Sequence, residues 1–350
     1  MRMKASKIFI KWIILSLVVQ LGLYFYMDRF YFSNGDNVKV AQDRIIYKKH
    51  EIKPNVTIPQ EAKNISLSDD CAYTAFFDNG IVKVLDTSTG KSKKLEFGEG
   101  VQCLSYKWVP DSDRMIIAEK IKMGNSRVIK FYSYDAENQL KQEVKEYNTQ
   151  KTDSIPAGIS QNEVSMVMST LTNVMYAKVS YVNGASSIYR IDANETMTKV
   201  STAVSKIGKI GVASRDDQLV YEDLINSRVR TNTSSRFIST NGNSHFALLG
   251  TDDDDNIYVV NKAERVSKIY YGEIAETQNS WKVIDLNSLY GIEDLKVMGD
   301  GKIYFIDKQN CKIKNVKNGS SSTYDGNFIG IYDGKIASVN NSRLSLKNMN

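Results

Sequence analysis

Few residues in this chain of 350 have the type and spacing to do chemistry. There are two histidines, His50 and His245. A histidine-based triad needs a positioned nucleophile and an orienting acid, and neither histidine stands among such residues. The most conspicuous run is Asp252-Asp253-Asp254-Asp255-Asn256. Clustered oxygens suit Ca²⁺, which takes six to eight oxygen ligands, so Asp252, Asp253, Asp254 and Asp255 are the metal-site candidates. The run lacks the glycine and downstream glutamate of an EF-hand loop, and a solvated turn between strands is its plainer reading. The three cysteines, Cys71, Cys103 and Cys311, are odd in number and widely spaced, which is neither a disulfide framework nor a metal pattern. They are expected as small buried hydrophobes, with Cys71 and Cys103 on inner strands of neighbouring repeats. Tyr132, Tyr134, Tyr181, Tyr189, Tyr270 and Tyr271 fall on expected strands and would make a binding platform only if they shared one rim. No catalytic residue and no cofactor is assigned.

Charge narrows the partner class. The net charge is +6, but Arg2, Lys4, Lys7 and Lys11 supply four of those charges at the extreme N-terminus. The rest is nearly balanced, without a basic stripe interleaved with aromatics, so nucleic acid is not expected as a partner. Residues 8–27 read IFIKWIILSLVVQLGLYFYM, and about twenty helical residues span a bilayer's hydrocarbon layer. Trp12, Tyr24 and Tyr26 flank the run as interfacial aromatics do, and the basic cluster before it places the N-terminus inside. Bulky residues fill the positions where a signal-peptide cleavage site needs small ones. The division expected is a cytoplasmic tail over 1–7, a transmembrane signal-anchor over 8–27, a linker over 28–60 and an extracytoplasmic domain over 61–350.

The elements that must position any site are strands. Short β-rich runs alternate with turns of Asp, Asn, Gly and Ser, and no long helical period follows the anchor. One turn, between a first and a second strand, recurs as Ser68-Asp69-Asp70, Pro110-Asp111-Ser112-Asp113, Ser160-Gln161-Asn162 and Ser214-Arg215-Asp216-Asp217. It returns at Asp252 to Asn256, Asp300-Gly301 and Asp333-Gly334. The repeat averages about 44 residues, the length of a four-stranded propeller blade. The fold class is therefore all-β, a β-propeller of seven blades, with six blades or a large open sandwich as the alternatives. The last unit offers three strands, and its fourth can come from residues 38–58, closing the ring.

Ser68-Asp69-Asp70, then Asn79-Gly80-Ile81-Val82-Lys83-Val84-Leu85-Asp86 with Thr89-Gly90-Lys91, set a recognisable pattern. Trp108-Val109-Pro110-Asp111 repeats it. Residues 62 to 120 resemble the propeller repeats of TolB and of the N-terminal domain of dipeptidyl-peptidase IV, which run W-S-P-D-G and end in a polar turn such as D-x-x-T-G. The resemblance implies a propeller placed outside the cytoplasm and carries no activity, because no G-x-S-x-G nucleophile elbow is present. The function expected is a non-catalytic binding or scaffolding module of the cell envelope, with an envelope protein or polymer as partner and the membrane held through residues 8–27. The alternative is a membrane-anchored hydrolase or lyase acting on a surface glycan or peptide through carboxylates at the propeller channel.

Overall fold

The computed structural model describes residues 2–26, 52–158, 162–169, 171–215, 217–232, 237–240, 242–274 and 281–349. Side chains are described for the N-terminal helix only at residues 11, 12 and 15–26. His50 and residues 27–51, which hold most of the expected linker, lie outside this description. Two units are distinguished, residues 1–51 and 52–350.

In the first unit, Arg2–Tyr26 form one helix, α1. Every described side chain from Leu15 to Tyr26 is exposed. Among the described residues no helix is long and apolar enough to cross a membrane. The span expected over 8–27 is thus not shown by the structure, and Ile8 to Ile10, Ile13, Ile14 and Met27 of that span fall outside the described side chains.

The second unit is seven antiparallel sheets in chain order. Blade 1 holds β1 (Lys63–Leu67), β2 (Tyr73–Asp78), β3 (Ile81–Asp86) and β4 (Ser92–Lys93). Blade 2 holds β5 (Gln102–Trp108), β6 (Arg114–Met123), β7 (Ser126–Asp135) and β8 (Leu140–Glu143), with β9 (Ile155–Ala157) added against β7. Blade 3 is β10 (Glu163–Met168), β11 (Met175–Ser180), β12 (Ser186–Ile191) and β13 (Met197–Val200). Blade 4 is β14 (Ile207–Ala213), β15 (Gln218–Asp223) and β16 (Arg228–Thr231). Blade 5 is β17 (Phe246–Thr251), β18 (Ile257–Asn261), β19 (Arg265–Gly272) and β20 (Lys282–Gly291). Blade 6 is β21 (Leu295–Val297), β22 (Ile303–Asp307), β23 (Lys312–Asn315) and β24 (Ser321–Thr323), and blade 7 is β25 (Asn327–Tyr332), β26 (Lys335–Asn340) and β27 (Arg343–Asn348).

Local chemistry explains these strands. In β3 the buried Val82 and Val84 alternate with exposed Ile81 and Lys83, the period of two that one packed face demands. The β2–β3 link is two residues, Asn79 at φ 51° and Gly80 at φ 83°. Positive φ at both central positions gives the type I′ twist that matches paired strands, and Asn-Gly tolerates it best. Asp333 and Gly334 repeat this at φ 45° and 70° between β25 and β26.

A single blade cannot cover both faces, so the core is divided among the blade interfaces. One cluster joins each neighbouring pair. Tyr73, Val84, Trp108 and Met115 join blades 1 and 2, and Phe131, Ile155, Met166 and Val179 join blades 2 and 3. Tyr176 and Tyr221 stand in the next interface, Phe246 and Val220 in the fourth, and Tyr258 and Ile303 in the fifth. Tyr304 and Ile331 join blades 6 and 7. The seventh cluster closes the ring, with Val56, Ile58, Leu67 and Phe76 packed on Ala337 and Leu344.

The seam is also hydrogen-bonded. Thr57 pairs antiparallel with Arg343, the Ile58 N–H donates to Ser342 O at 2.7 Å, and the Leu344 N–H donates to Val56 O at 3.1 Å. Residues 56–58 thus lie beside β27 as the outer strand of blade 7. Seven sheets and seven interfaces set aside the six-bladed ring and the open sandwich.

Two expectations need correction. In blade 3, the segment after residues 160–162 is β10, the first strand, and the turn to the second runs from Ser169 to Val174, where the Ser169 N–H donates to Val174 O at 2.8 Å. The cause is β9, which consumes residues within the repeat to cover the long β6–β7 hairpin. Cys71 does not sit on an inner strand either. It lies in the β1–β2 turn at φ 67°, buried in the seam cluster, while Cys103 belongs to the cluster of blades 1 and 2.

Candidate functional site

The first strand of each blade forms an edge of its sheet, and these strands meet one another around the axis: β5 with β10, β10 with β14, β14 with β17, β17 with β21 and β25 with β1. They run in the same sense along a central channel, because every blade repeats one strand order. The acidic turns therefore gather at a single mouth, and the starts of the first strands gather at the other.

The inner strands are irregular at a shared place. Register slips between Lys63 and Ser66, Cys103 and Ser105, Ile207 and Ile210, Leu248 and Gly250, and Phe328 and Gly330. A bulge frees backbone groups from the ladder, and polar side chains from neighbouring blades take them up. The Tyr106 hydroxyl donates to Asn64 O. Lys178 Nζ donates to Gly208 O at 2.5 Å, and Lys209 Nζ to Leu249 O at 2.5 Å. The Glu222 carboxylate accepts the Lys209 N–H at 2.8 Å and the Leu248 N–H at 2.7 Å. Glu222, Lys178 and one donor of Lys209 are thus committed to structure.

Lys107 on β5 and Lys296 on β21 are different. Both are half-buried, and neither has a hydrogen-bond or salt-bridge partner among the described residues. Burial lowers the pKa of Lys107, with the nearby Asp69 carboxylate opposing the shift. Burial lowers that of Lys296 too, and the positive charges of Lys107 and Lys209 push it further down. Lys209 is lowered by burial against the attraction of Glu222 and Glu293. It is nonetheless exposed to water. A side chain reached by water yet enclosed by protein is one that lines a channel. Lys296 of blade 6 thus lies within electrostatic reach of Lys107 of blade 2 and Lys209 of blade 4, and the ammonium donors of Lys107 and Lys296 are not taken up by hydrogen bonds or ion pairs among the described residues.

The acidic turns close one end of the channel. Asp69 Oδ2 accepts the Asp111 N–H at 2.8 Å, joining blades 1 and 2. The Asp253 N–H donates to Gly299 O at 2.9 Å, joining blades 5 and 6. Asp253 is held above the usual carboxylate range by burial and then by Asp252, Asp111, Asp254 and Asp300. Carboxylates of blades 2, 5 and 6 thus feel one another at the mouth.

The run Asp252 to Asp255 forms part of this rim. Asp252 is buried and accepts from the Asp254 and Asn256 N–H groups, the Asn256 amide and, at 2.8 Å, the Tyr258 hydroxyl. Asp255 accepts the Arg215 N–H at 3.0 Å, and Asp254 accepts the Arg215 guanidinium at 2.6 Å. The Asp252 oxygens are spent on the turn, and Asp254 and Asp255 hold Arg215 of blade 4. Among the described residues no three His, Cys, Asp or Glu side chains are placed to hold a metal ion.

Other sequence candidates are dispersed. His245 is exposed at the start of β17. None of the three cysteines is in a disulfide, and burial with Glu119 nearby pushes Cys103 up to about 12. Tyr134 is wholly buried, Tyr132 lies under Lys141 Nζ at 4.7 Å, and Tyr270 packs on Phe246 at 5.5 Å. Tyr271 stacks on Tyr258 at 5.2 Å. Tyr181 lines a cleft of about 500 Å³ between blades 2 and 3, with Gln102, Asn162, Glu163 and Ser180. The tyrosines do not form one platform. Sequence reading missed the channel lysines, since Lys107 sits in an otherwise ordinary strand beside Trp108. The available signal was a lysine four residues before the turn aspartate in two repeats, Lys107 before Asp111 and Lys296 before Asp300.

No family model matches the chain, and no curated protein matches it. Among solved structures it is similar to an oligogalacturonate lyase in complex with manganese. The likeness has a TM-score of 0.54 at 14% identity and covers 81% of this chain and 88% of that one. Similarity at this identity shows the seven-bladed fold.

Proposed function

We propose that this chain is a membrane-tethered, extracytoplasmic propeller acting as a binding module, and that its channel takes an anionic ligand. The observation that carries the ligand class is the pair of half-buried ammonium groups, Lys107 and Lys296, which make no hydrogen bond or ion pair among the described residues, Lys296 having only the positive charges of Lys107 and Lys209 as its electrostatic neighbours. Enclosing like charges is costly without a counter-ion. A ligand carboxylate or phosphate supplies it, and charge-assisted hydrogen bonds are the strong ones. Calorimetric titration of the full-length chain in detergent with oligogalacturonate tests this reading. Binding that weakens with salt and falls at least tenfold in Lys107→Met/Lys296→Met supports it. Equal affinity in that variant refutes it.

The tether rests on residues 8–27, apolar apart from Lys11, Ser16 and Gln20, on the exposure of α1 from Leu15 to Tyr26, and on the basic residues before it. Alkaline carbonate washing should leave the chain with the membrane pellet, and release into the supernatant would remove this part of the proposal.

A lyase acting on an anionic glycan is the second reading, favoured by the fold shared with an oligogalacturonate lyase. Elimination beside a carboxylate needs a base and a cation near the carboxylate. Buried lysines of lowered pKa suit both roles. The manganese of that neighbour has no matching set of donors among the described residues, so no step is routed through a metal here. Ultraviolet absorbance of an unsaturated product, grown with enzyme and lost in Lys296→Met, would establish the lyase over the binding module.

A further inference from the structure

Strands alternate in direction within each blade, so the turns between second and third strands return to the end of the ring where the first strands begin. At that end the blades differ. The tips of blades 1 to 4 carry Ile81, Met123, Val182 and the pair Leu224 and Ile225, each between 47% and 69% exposed. The tips of blades 5 to 7 carry Lys262 and Glu264, Lys308 to Asn310, and Asn341 and Ser342. Single exposed hydrophobics are ordinary, whereas a clustered set marks an interaction surface.

The apolar tips form a continuous arc from blade 2 to blade 4. β5 ends its pairing with β6 at Gln102 and Lys120, so Ile121, Lys122 and Met123 run on past the inner strand by roughly 10 Å. A Cβ at Gly124 would meet nothing within 4 Å, so this tip stands clear. At its base Lys120 Nζ donates to Asn162 Oδ1 at the entry to blade 3, 3.1 Å away, beside the cleft that Tyr181 and Val182 line. A Cβ at Gly184 would lie 3.9 Å from Lys206 Cε, and the Leu224 N–H donates to Lys206 O at 3.1 Å, which joins the tips of blades 3 and 4.

The charges around the arc are mostly positive. Lys122 and Arg127 flank Met123, and Lys206 stands between the two later tips, all three exposed. Carboxylates beside the tips are held within the protein, Asp78 by Lys83 at 2.5 Å and Asp223 by Arg230 at 2.9 Å. Glu222 accepts two backbone N–H groups. Glu99 and Glu163 are exposed at the same end, but where the inner strands begin, inside the arc. A folded protein partner needs a contiguous patch packed like an interior. Separate apolar tips flanked by cations suit a lipid surface, where each tip enters the acyl boundary by itself and the cations meet phosphates.

We infer that the propeller docks on an anionic bilayer surface through this arc, with Met123, Val182 and Ile225 entering the interface and the ring tilted onto blades 1 to 4. Docking makes no use of the channel lysines and does not require the tether proposed above. If that tether holds, residues 27–51 reach at most roughly 90 Å fully extended, which keeps the arc near the same bilayer.

Amide hydrogen exchange of the full-length chain tests this, with vesicles of mixed phosphatidylglycerol and phosphatidylcholine compared with vesicles of phosphatidylcholine alone. Exchange at 122–126, 181–184 and 224–227 should be slower on the mixed vesicles, with 262–264 and 308–310 alike on both. The variant Met123→Ser/Val182→Ser/Ile225→Ser changes only exposed tips, and it should lose the difference while β11 and β15 stay protected. Equal exchange of the arc on both lipids, equal slowing at the tips of blades 5 and 6, or an undiminished difference in the variant would each overturn the inference. Slowing that grows with protein density on phosphatidylcholine alone would assign the arc to a second copy instead. A chain retained in the carbonate pellet without slowing at the arc keeps the tether and refutes docking. A chain released by carbonate whose arc is slowed on mixed vesicles does the reverse.

Discussion

Lys107 and Lys296 give stability and ligand binding opposite responses to pH. Both have folded-state pKa values below the lysine value of 10.5. Below the folded value they are charged in folded and unfolded chains alike, and burial penalises the folded one. As pH rises from the lowered value toward 10.5, the folded state releases its protons first and the penalty is relieved. Stability attributable to these groups therefore rises through that window, while affinity for an anion falls. The difference between the parent chain and Lys296→Met, followed by denaturant titration across alkaline pH, isolates the first effect: the parent should gain stability relative to the variant as pH rises through that window, and a parent that loses ground to the variant there would refute it. Asp252 shows a different kind of residue-scale constraint. It is buried and its carboxylate gathers the turn's donors and the Tyr258 hydroxyl, so Asp252→Ala should cost about 2–3 kcal/mol, by the penalty for stranding buried partners. Addition of calcium should not restore that loss, and recovery would place a metal at Asp252 to Asp255. Reading the aspartates as a turn needed only their neighbours in sequence. The lysine cluster was not legible, because its members come from β5, β14 and β21 and meet only when the ring closes.

At the scale of elements, the turns carry the register and the seam carries the ring. Gly80 has open space around the position a Cβ would take, at φ +83°. Gly80→Ala should thus destabilise through backbone strain alone, by about 1–2 kcal/mol, and a thermal melt showing no loss would contradict the type I′ assignment. Ile58 is 1% exposed among residues of blades 1 and 7. Ile58→Ala should cost about 2–5 kcal/mol, as buried aliphatic truncations do, and its hydrogen-exchange signature should concentrate in β1 and β27. Six of the seven first-to-second-strand turns stand where the acidic landmarks placed them, because Asp, Asn and Gly mark backbone conformations that few other residues adopt. The blade 3 landmark was displaced by β9, whose three residues, Ile155–Ala157, carry no periodic signal that would identify them as an addition to blade 2.

At the scale of the whole molecule, the repeat length announced the ring, but its closure was settled by three residues. Val56 to Ile58 pair with β27, so the first and last strands of the propeller are neighbours. They are antiparallel, with Thr57 opposite Arg343, which sends Ile52 and Met349 away from the seam at the same end. Force applied between the two termini would then part the seam one hydrogen bond after another, as a zipper opens, instead of loading the bonds together in shear. In a single-molecule pulling experiment the propeller should yield first at low force by losing this strand, followed by release of blades from the broken ring. Attachment at internal blade edges should yield at higher force. Tension drawn across the seam is therefore a stimulus to which this fold is mechanically weak in one direction and resistant in the others.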